Sequence, residues 1–152
     1  MGSPHDFDFL HGRWAVANRK LSKPLTGSDD WEEFDGVAEC RPHFGGAANI
    51  DEISFPGKGF SGLTLRLFAP ETGQWSLYWA NSRDGALLPP VTGDFADGEG
   101  WFYGDDEHEG TPVRVSFRWS DITGTTARWE QAFSIDGGTT WEPNWVMELT
   151  RA

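Results

Sequence analysis

The chain has one cysteine, Cys40, so it can build no internal disulfide framework, and that usage predicts a reducing cytoplasm. No run of about 18 apolar residues occurs, which excludes a helical membrane span. The opening residues MGSPHDFDFLHG show no basic segment followed by an apolar one, and no secretory signal is expected. Basic side chains are scarce: 12 Lys and Arg stand against 24 Asp and Glu, for a net charge of −12. The acid is spread along the chain and serves to solubilise the surface. It argues against nucleic acid and anionic membrane as partners, since both require a basic stripe. Sustained helical periodicity, linkers and internal repeats are missing as well. The 152 residues therefore read as one domain, 1–152, with room for a sizeable core.

What the chain has in quantity is rings: nine Trp and eleven Phe, an investment that a disordered chain does not make. Turn signals recur about every 8 to 15 residues, with alternating segments between them. Strands are predicted near 13–21, 31–41, 48–55, 62–68, 74–80, 91–96, 100–104, 112–120, 127–135 and 140–151. The one helical turn expected lies in PHDFDFLHG and is closed by Gly12. Short antiparallel strands in meander order, with no helices to cover a sheet, predict an all-β fold: a closed up-and-down barrel of about ten strands.

Alternation assigns the faces. Val113, Val115, Phe117 and Trp119 share one row, and Trp129, Gln131, Phe133 and Ile135 another. In the last strand the row is Trp145, Met147 and Leu149. Setting Trp129 opposite Met147 brings Gln131 to Trp145 and Arg128 to Glu148, which satisfies packing and charge together. Pairing Leu67 with Trp75 would set Leu65 against Leu77 and Leu63 against Trp79. A barrel this wide is not filled completely by its own side chains, so a cavity with aromatic walls is expected. Its candidate ligand-binding residues are Trp75, Trp79, Phe117, Trp119, Trp129, Gln131, Phe133, Trp145 and Met147. The bland alternative is that the rings fill the interior.

The stretch SIDGGTTW matches the S-x-D-x-G-x-T-W pattern and resembles the Asp box of sialidases. A propeller needs several such boxes at regular spacing, and here there is one. It is read as a tight hairpin with Asp136-Gly137-Gly138 at the reversal. HGRW at the start and Arg151 near the end resemble the calycin superfamily, the lipocalins and fatty-acid-binding barrels. That likeness implies that Trp14 and Arg151 close the barrel, the cation lying across the indole face. FDFLHGRW, GGAANIDEI, GLTLRLF, QWSLYWAN and RWEQAFSIDGGTTWEPNWVM extend the resemblance to a group of small bacterial calycin-type barrels over nearly the full length. The likeness implies a fold and no activity. Nitrobindins, the haem-binding members, are similar in the opening Gly-x-Trp. They ligate iron through a late histidine, whereas no histidine follows His108 here, so no haem cofactor is expected.

Candidate chemistry is sparse. His5 and His11 flank the N-terminal turn, and His108 sits in DDEHEG, which lacks the ordered spacing of a calcium loop and reads as a charged hairpin tip. Cys40 and His43 form a lone C-x-x-H, too little for structural zinc. No metal site is expected. In ANIDEI, Asn49 and Asp51 share one face while Glu52 lies with Ile50. Were Glu52 to face inward, burial would raise its pKa and make it a candidate catalytic acid or base; on the outer face it is a solvated charge. Tyr78, Arg66 and Arg118 could reach the cavity on other registers, but the two arginines are more simply outer-face partners of acids such as Glu130. NSRDG with LLPP is expected at one barrel mouth. The leading expectation is a cytoplasmic barrel holding a hydrophobic or aromatic small molecule. The alternatives are a cofactor-free cyclase, isomerase or hydratase in the same cavity, and a structural protein with exposed tryptophans as a homodimer face.

Overall fold

The protein's structure, a computed structural model, describes residues 2–152. Its strands are β1 (Gly12–Leu21), β2 (Trp31–His43), β3 (Ala48–Phe55), β4 (Phe60–Ala69), β5 (Gln74–Asn81), β6 (Ala86–Leu87), β7 (Val91–Ala96), β8 (Glu99–His108), β9 (Thr111–Ser120), β10 (Thr126–Ser134) and β11 (Glu142–Arg151). Successive strands pair antiparallel, β5 reaches past the two-residue β6 to β7, and β1 closes the ring on β11. The result is a closed ten-stranded up-and-down barrel with β6 appended to β5. All ten predicted strands are present; β6 is too short for alternation to reveal it. A 3₁₀ turn at Asp8–Leu10 occupies the expected N-terminal position, and a second lies at Phe44–Gly46. Among the described residues no helix is long and apolar enough to cross a membrane.

Closure rests on Trp14 and Arg151, which are direct cross-strand partners. The Arg151 guanidinium lies 3.9 Å from the Trp14 ring centre and donates to the carbonyls of His11 and Phe9. Trp14 is fully buried and its Nε1 donates to Leu10 O at 2.8 Å. Gly12 makes this approach possible. Its φ of +108° suits glycine, and a Cβ there would stand 3.0 Å from Arg151 Nη1. The N-terminal turn is thereby pinned across one end of the barrel. There Phe7 packs edge-on against Trp75 at 4.9 Å and Phe95 at 5.0 Å, forming a ring-packed floor.

The β10–β11 register is the predicted one: Trp129 faces Met147, Gln131 faces Trp145, and Arg128 pairs with Glu148 on the outside. Beyond it the pairing slips, from Gln131↔Trp145 to Ala132↔Pro143, and leaves Asn144 as an unpaired bulge residue. The expected β4–β5 register is wrong by one residue. Phe68 pairs with Trp75, Arg66 with Leu77 and Thr64 with Trp79, so Leu63, Leu65 and Leu67 face outward. Two local causes fix this. The loop between Ala69 and Gln74 is a four-residue turn closed by Gly73 N→Ala69 O at 2.9 Å. The Trp79 ring also lies directly over Gly62, where a Cβ would meet it at 1.9 Å.

The DDEHEG segment ends in the expected hairpin tip, but only its last two residues form it. β8 continues through it to His108, and the reversal is Glu109-Gly110, both with positive φ. The SIDGGTTW stretch does form the expected turn. Asp136 Oδ1 accepts from the Thr139 and Thr140 backbone N–H at 3.1 and 2.9 Å, and Thr140 Oγ1 donates to Asp136 Oδ2. These hydrogen bonds, that of the Thr140 hydroxyl foremost, hold the Asp136 carboxyl down at about 2.

Two outcomes follow. Replacing Arg151 with Met should cost about 2 kcal/mol in urea denaturation, from the lost cation–π contact and charge-assisted hydrogen bonds. The Asp136 contribution is present above the carboxyl's ordinary value of 3.8 and is lost as pH falls through about 2. Comparing denaturation midpoints over that interval, Asp136→Asn should show a shallower acid-side loss than the unchanged protein.

Candidate functional site

The inward rows border two adjoining spaces. An inner chamber of about 70 Å³ lies above the floor. A wider mouth of about 400 Å³ opens at the opposite end, where Asp84, Leu88 and Pro89 of the 82–90 loop form part of the rim, as expected for NSRDG and LLPP. Leu77, Trp79, Phe117, Gln131 and Trp145 border both spaces and form the waist between them. The indoles at the waist are held edge to face: Trp145 lies 6.1 Å from Trp79 and 5.7 Å from Trp129, with interplanar angles of 86° and 81°. Trp145 is fixed further by Nε1 donating to buried Asn18 Oδ1 at 3.0 Å.

Of the predicted lining residues, Trp119, Trp129 and Met147 border the chamber, Trp79, Phe117, Gln131 and Trp145 the waist, and Phe133 the mouth. Trp75 does not join them. It belongs to the floor, fully buried against Phe7, with Nε1 donating to Ser3 O at 3.2 Å and Asp6 Oδ2 at 3.3 Å. The inward condition for Glu52 is not met either. Its side chain stands exposed on the outer face, across from Glu39 and Leu63. β3 turns Asn49, Asp51, Ile53 and Phe55 inward, because the two large apolar residues of that row have the core to fill.

The polar group inside the barrel is instead the Arg66–Asp51 pair. The β4 register carries Arg66 inward, leaving the residue 4% exposed. Its Nη1 donates to Asn49 Oδ1 at 2.8 Å and its Nη2 to Asp51 Oδ2 at 3.1 Å. Burial pushes the Asp51 carboxyl up from its ordinary value, and the adjacent guanidinium opposes that shift. Arg118, by contrast, lies outside as expected, paired with Glu99 at 2.9 Å and Glu130 at 3.3 Å. Buried Cys40 has its thiol raised to about 12 by desolvation and is an inert core residue at neutral pH.

At the mouth the bulge residue Asn144 accepts from Gln131 Nε2 at 2.8 Å. Lys20 extends from β1 over the Trp145 ring, 4.6 Å from its centre. Burial lowers the lysine's pKa, and Arg83 adds to that effect. Asp105, Asp106 and His108 complete one side of the rim. Among the described residues, no three His, Cys, Asp or Glu side chains are grouped so as to hold a metal ion.

No family model matches the sequence, and no curated protein matches it. Among solved structures, that of an S-type phycobiliprotein lyase from Guillardia theta is similar, with a TM-score of 0.62 at 11% identity. The match covers 100% of this chain and 93% of that one. At that identity the likeness is one of fold, and it supports the calycin-like barrel that the sequence predicts.

The buried pair has a measurable consequence. Arg66→Met or Asp51→Leu alone should each cost about 3 kcal/mol in urea denaturation, because each strands a charge in the interior. The double variant should cost far less than the sum of the two, since it leaves no unpaired charge.

Proposed function

We propose that this protein binds one small hydrophobic or aromatic molecule, which enters by the mouth and lies against the tryptophans of the waist. The observation that carries this is that Trp79 and Trp145 border both the chamber and the mouth: the interior is lined by rings and not filled by them. The interlocked rings of the floor lie at the end of the barrel away from the mouth. The structural similarity to a phycobiliprotein lyase is consistent with a barrel of this fold used for small-molecule binding.

In this reading the chain is a bacterial calycin-type, lipocalin-like barrel working in the cytoplasm, and it needs neither haem nor a metal. The sequence stretches that resemble such barrels support the first part, and the lone buried thiol supports the second. The position of Glu52 outside the barrel removes the residue on which a cofactor-free enzyme rested.

Titration with N-phenyl-naphthylamine, a neutral apolar fluorophore, tests this. Trp fluorescence should be quenched saturably at one equivalent. Trp79→Ala and Trp145→Ala should each weaken binding about tenfold, the equivalent of about 1.4 kcal/mol of lost ring contact. Quenching that never saturates, or that both variants leave unchanged, overturns the reading.

A further inference from the structure

Of the chain's three lysines, Lys20 alone lies on a strand. It follows Trp14, Val16 and Asn18 on the inward row of β1 and lines the mouth. Its Nζ stands 4.6 Å from the centre of the Trp145 ring. The amine thus touches the indole that borders both chamber and mouth, the surface on which a bound molecule would rest.

The charges around this amine are unusual. Most of the chain's 12 Lys and Arg hold a carboxylate within ion-pair distance, but Lys20, in a chain with 24 acids, holds none. Glu32 stands directly across from it on β2, yet that carboxylate is engaged by Lys58 Nζ and Ser22 Oγ. Burial favours the neutral amine, the cations Arg83 and Lys58 favour it further, and Glu32 opposes them. An apolar setting with cationic neighbours is what turns a lysine into a nucleophile.

Such an amine can be answered by an anion or by a carbon electrophile, and the rim distinguishes the two. Asp84, Asp105 and Asp106 line the mouth together with Lys20 and His108, on a chain of net charge −12. That field turns an anion away, whereas a neutral carbonyl compound crosses it unopposed. Resting on the binding function proposed above, we infer that Lys20 captures the ligand covalently, the ligand being an uncharged apolar aldehyde whose carbonyl carbon forms an imine with Nζ. The Nζ lone pair adds to that carbon, the π electrons of C=O pass to the oxygen, and a proton moves from nitrogen to oxygen. The resulting carbinolamine loses water through the mouth as the C=N bond forms, with no change of oxidation state. The apolar body of the aldehyde lies against Trp145 and extends into the waist.

The test treats the intact protein with naphthaldehyde and cyanoborohydride, which reduces an imine to a stable amine and spares the aldehyde near neutral pH. Intact mass should show one added naphthylmethyl group, and peptide mapping should place it on Lys20 about tenfold ahead of Lys23 and Lys58. Saturating N-phenyl-naphthylamine should block the labelling. Lys20→Arg keeps the charge and removes the nucleophile, so it should lose this label and still bind the dye. Arg83→Gln removes one neighbouring cation and should slow labelling at neutral pH about threefold; an unchanged rate there overturns the inference. Label spread evenly over the three lysines, or labelling that the dye leaves untouched, also overturns it while the binding function stands. Tight binding of naphthoate with no adduct from the aldehyde makes Lys20 an anchor for anions and overturns it as well. Should the dye itself fail to bind, the binding function falls and this inference with it.

Discussion

A guanidinium held inside a barrel of indoles sets the terms for everything around it. Removing Arg66 from water is costly unless its N–H groups and its charge are answered on the spot. The answer comes from the neighbouring strand: Asn49 stands directly across from Arg66, and Asp51 stands two residues along the same inward row. That requirement ties the parity of β3 to the parity of β4, and the indole lying over Gly62 ties β4 to β5. Slide either pairing by one residue and the arginine faces water, three leucines enter, and the chamber closes. The cavity is thus a product of register, and register here is enforced by polar as much as by apolar groups.

The same logic separates the two ends of the barrel. At the floor, Phe7, Phe95, Phe102 and Trp75 interlock around the pinned N-terminal turn. Toward the mouth the inward row changes character. Lys20, Asn81, Asp106 and His108 take over positions that rings occupy lower down, and the space widens. An apolar surface with polar groups at its deep end and around its opening is the arrangement expected of a site that orients what it holds.

Much of this was legible in the chain. Alternation with turn chemistry locates ten strands, and the β10–β11 register that satisfies Trp129, Gln131 and Arg128 together is the one the structure has. The rows through Phe117, Trp129 and Trp145 followed from it. What escaped has identifiable causes. Leu63, Leu65 and Leu67 imitate an inward face, and the ordinary preference for exposed charge hid Arg66 among them. In β3, Ile50 lent false support to Glu52, although Ile53 and Phe55 outweigh it on the other face. Trp75 shares the face of Trp79, but alternation reports the side of a strand and not the height along the barrel, so floor and waist look alike. The acidic run before Glu109 resembled a loop, because its strand is long enough to leave the core and end in solvent.

The Trp14–Arg151 clamp also bears on how the molecule comes into being. It joins the first strand to the last, so one edge of β1 stays bare until β11 has been made and has arrived. Nearly every other pairing is between sequence neighbours and can form as a zipping meander. Among the described residues, the seam is the one strand pairing of very long range, the kind that loop entropy makes slow. A nascent chain lacking its last ten residues is therefore an open, curling sheet with two sticky borders, and the arrival of Arg151 turns it into a vessel.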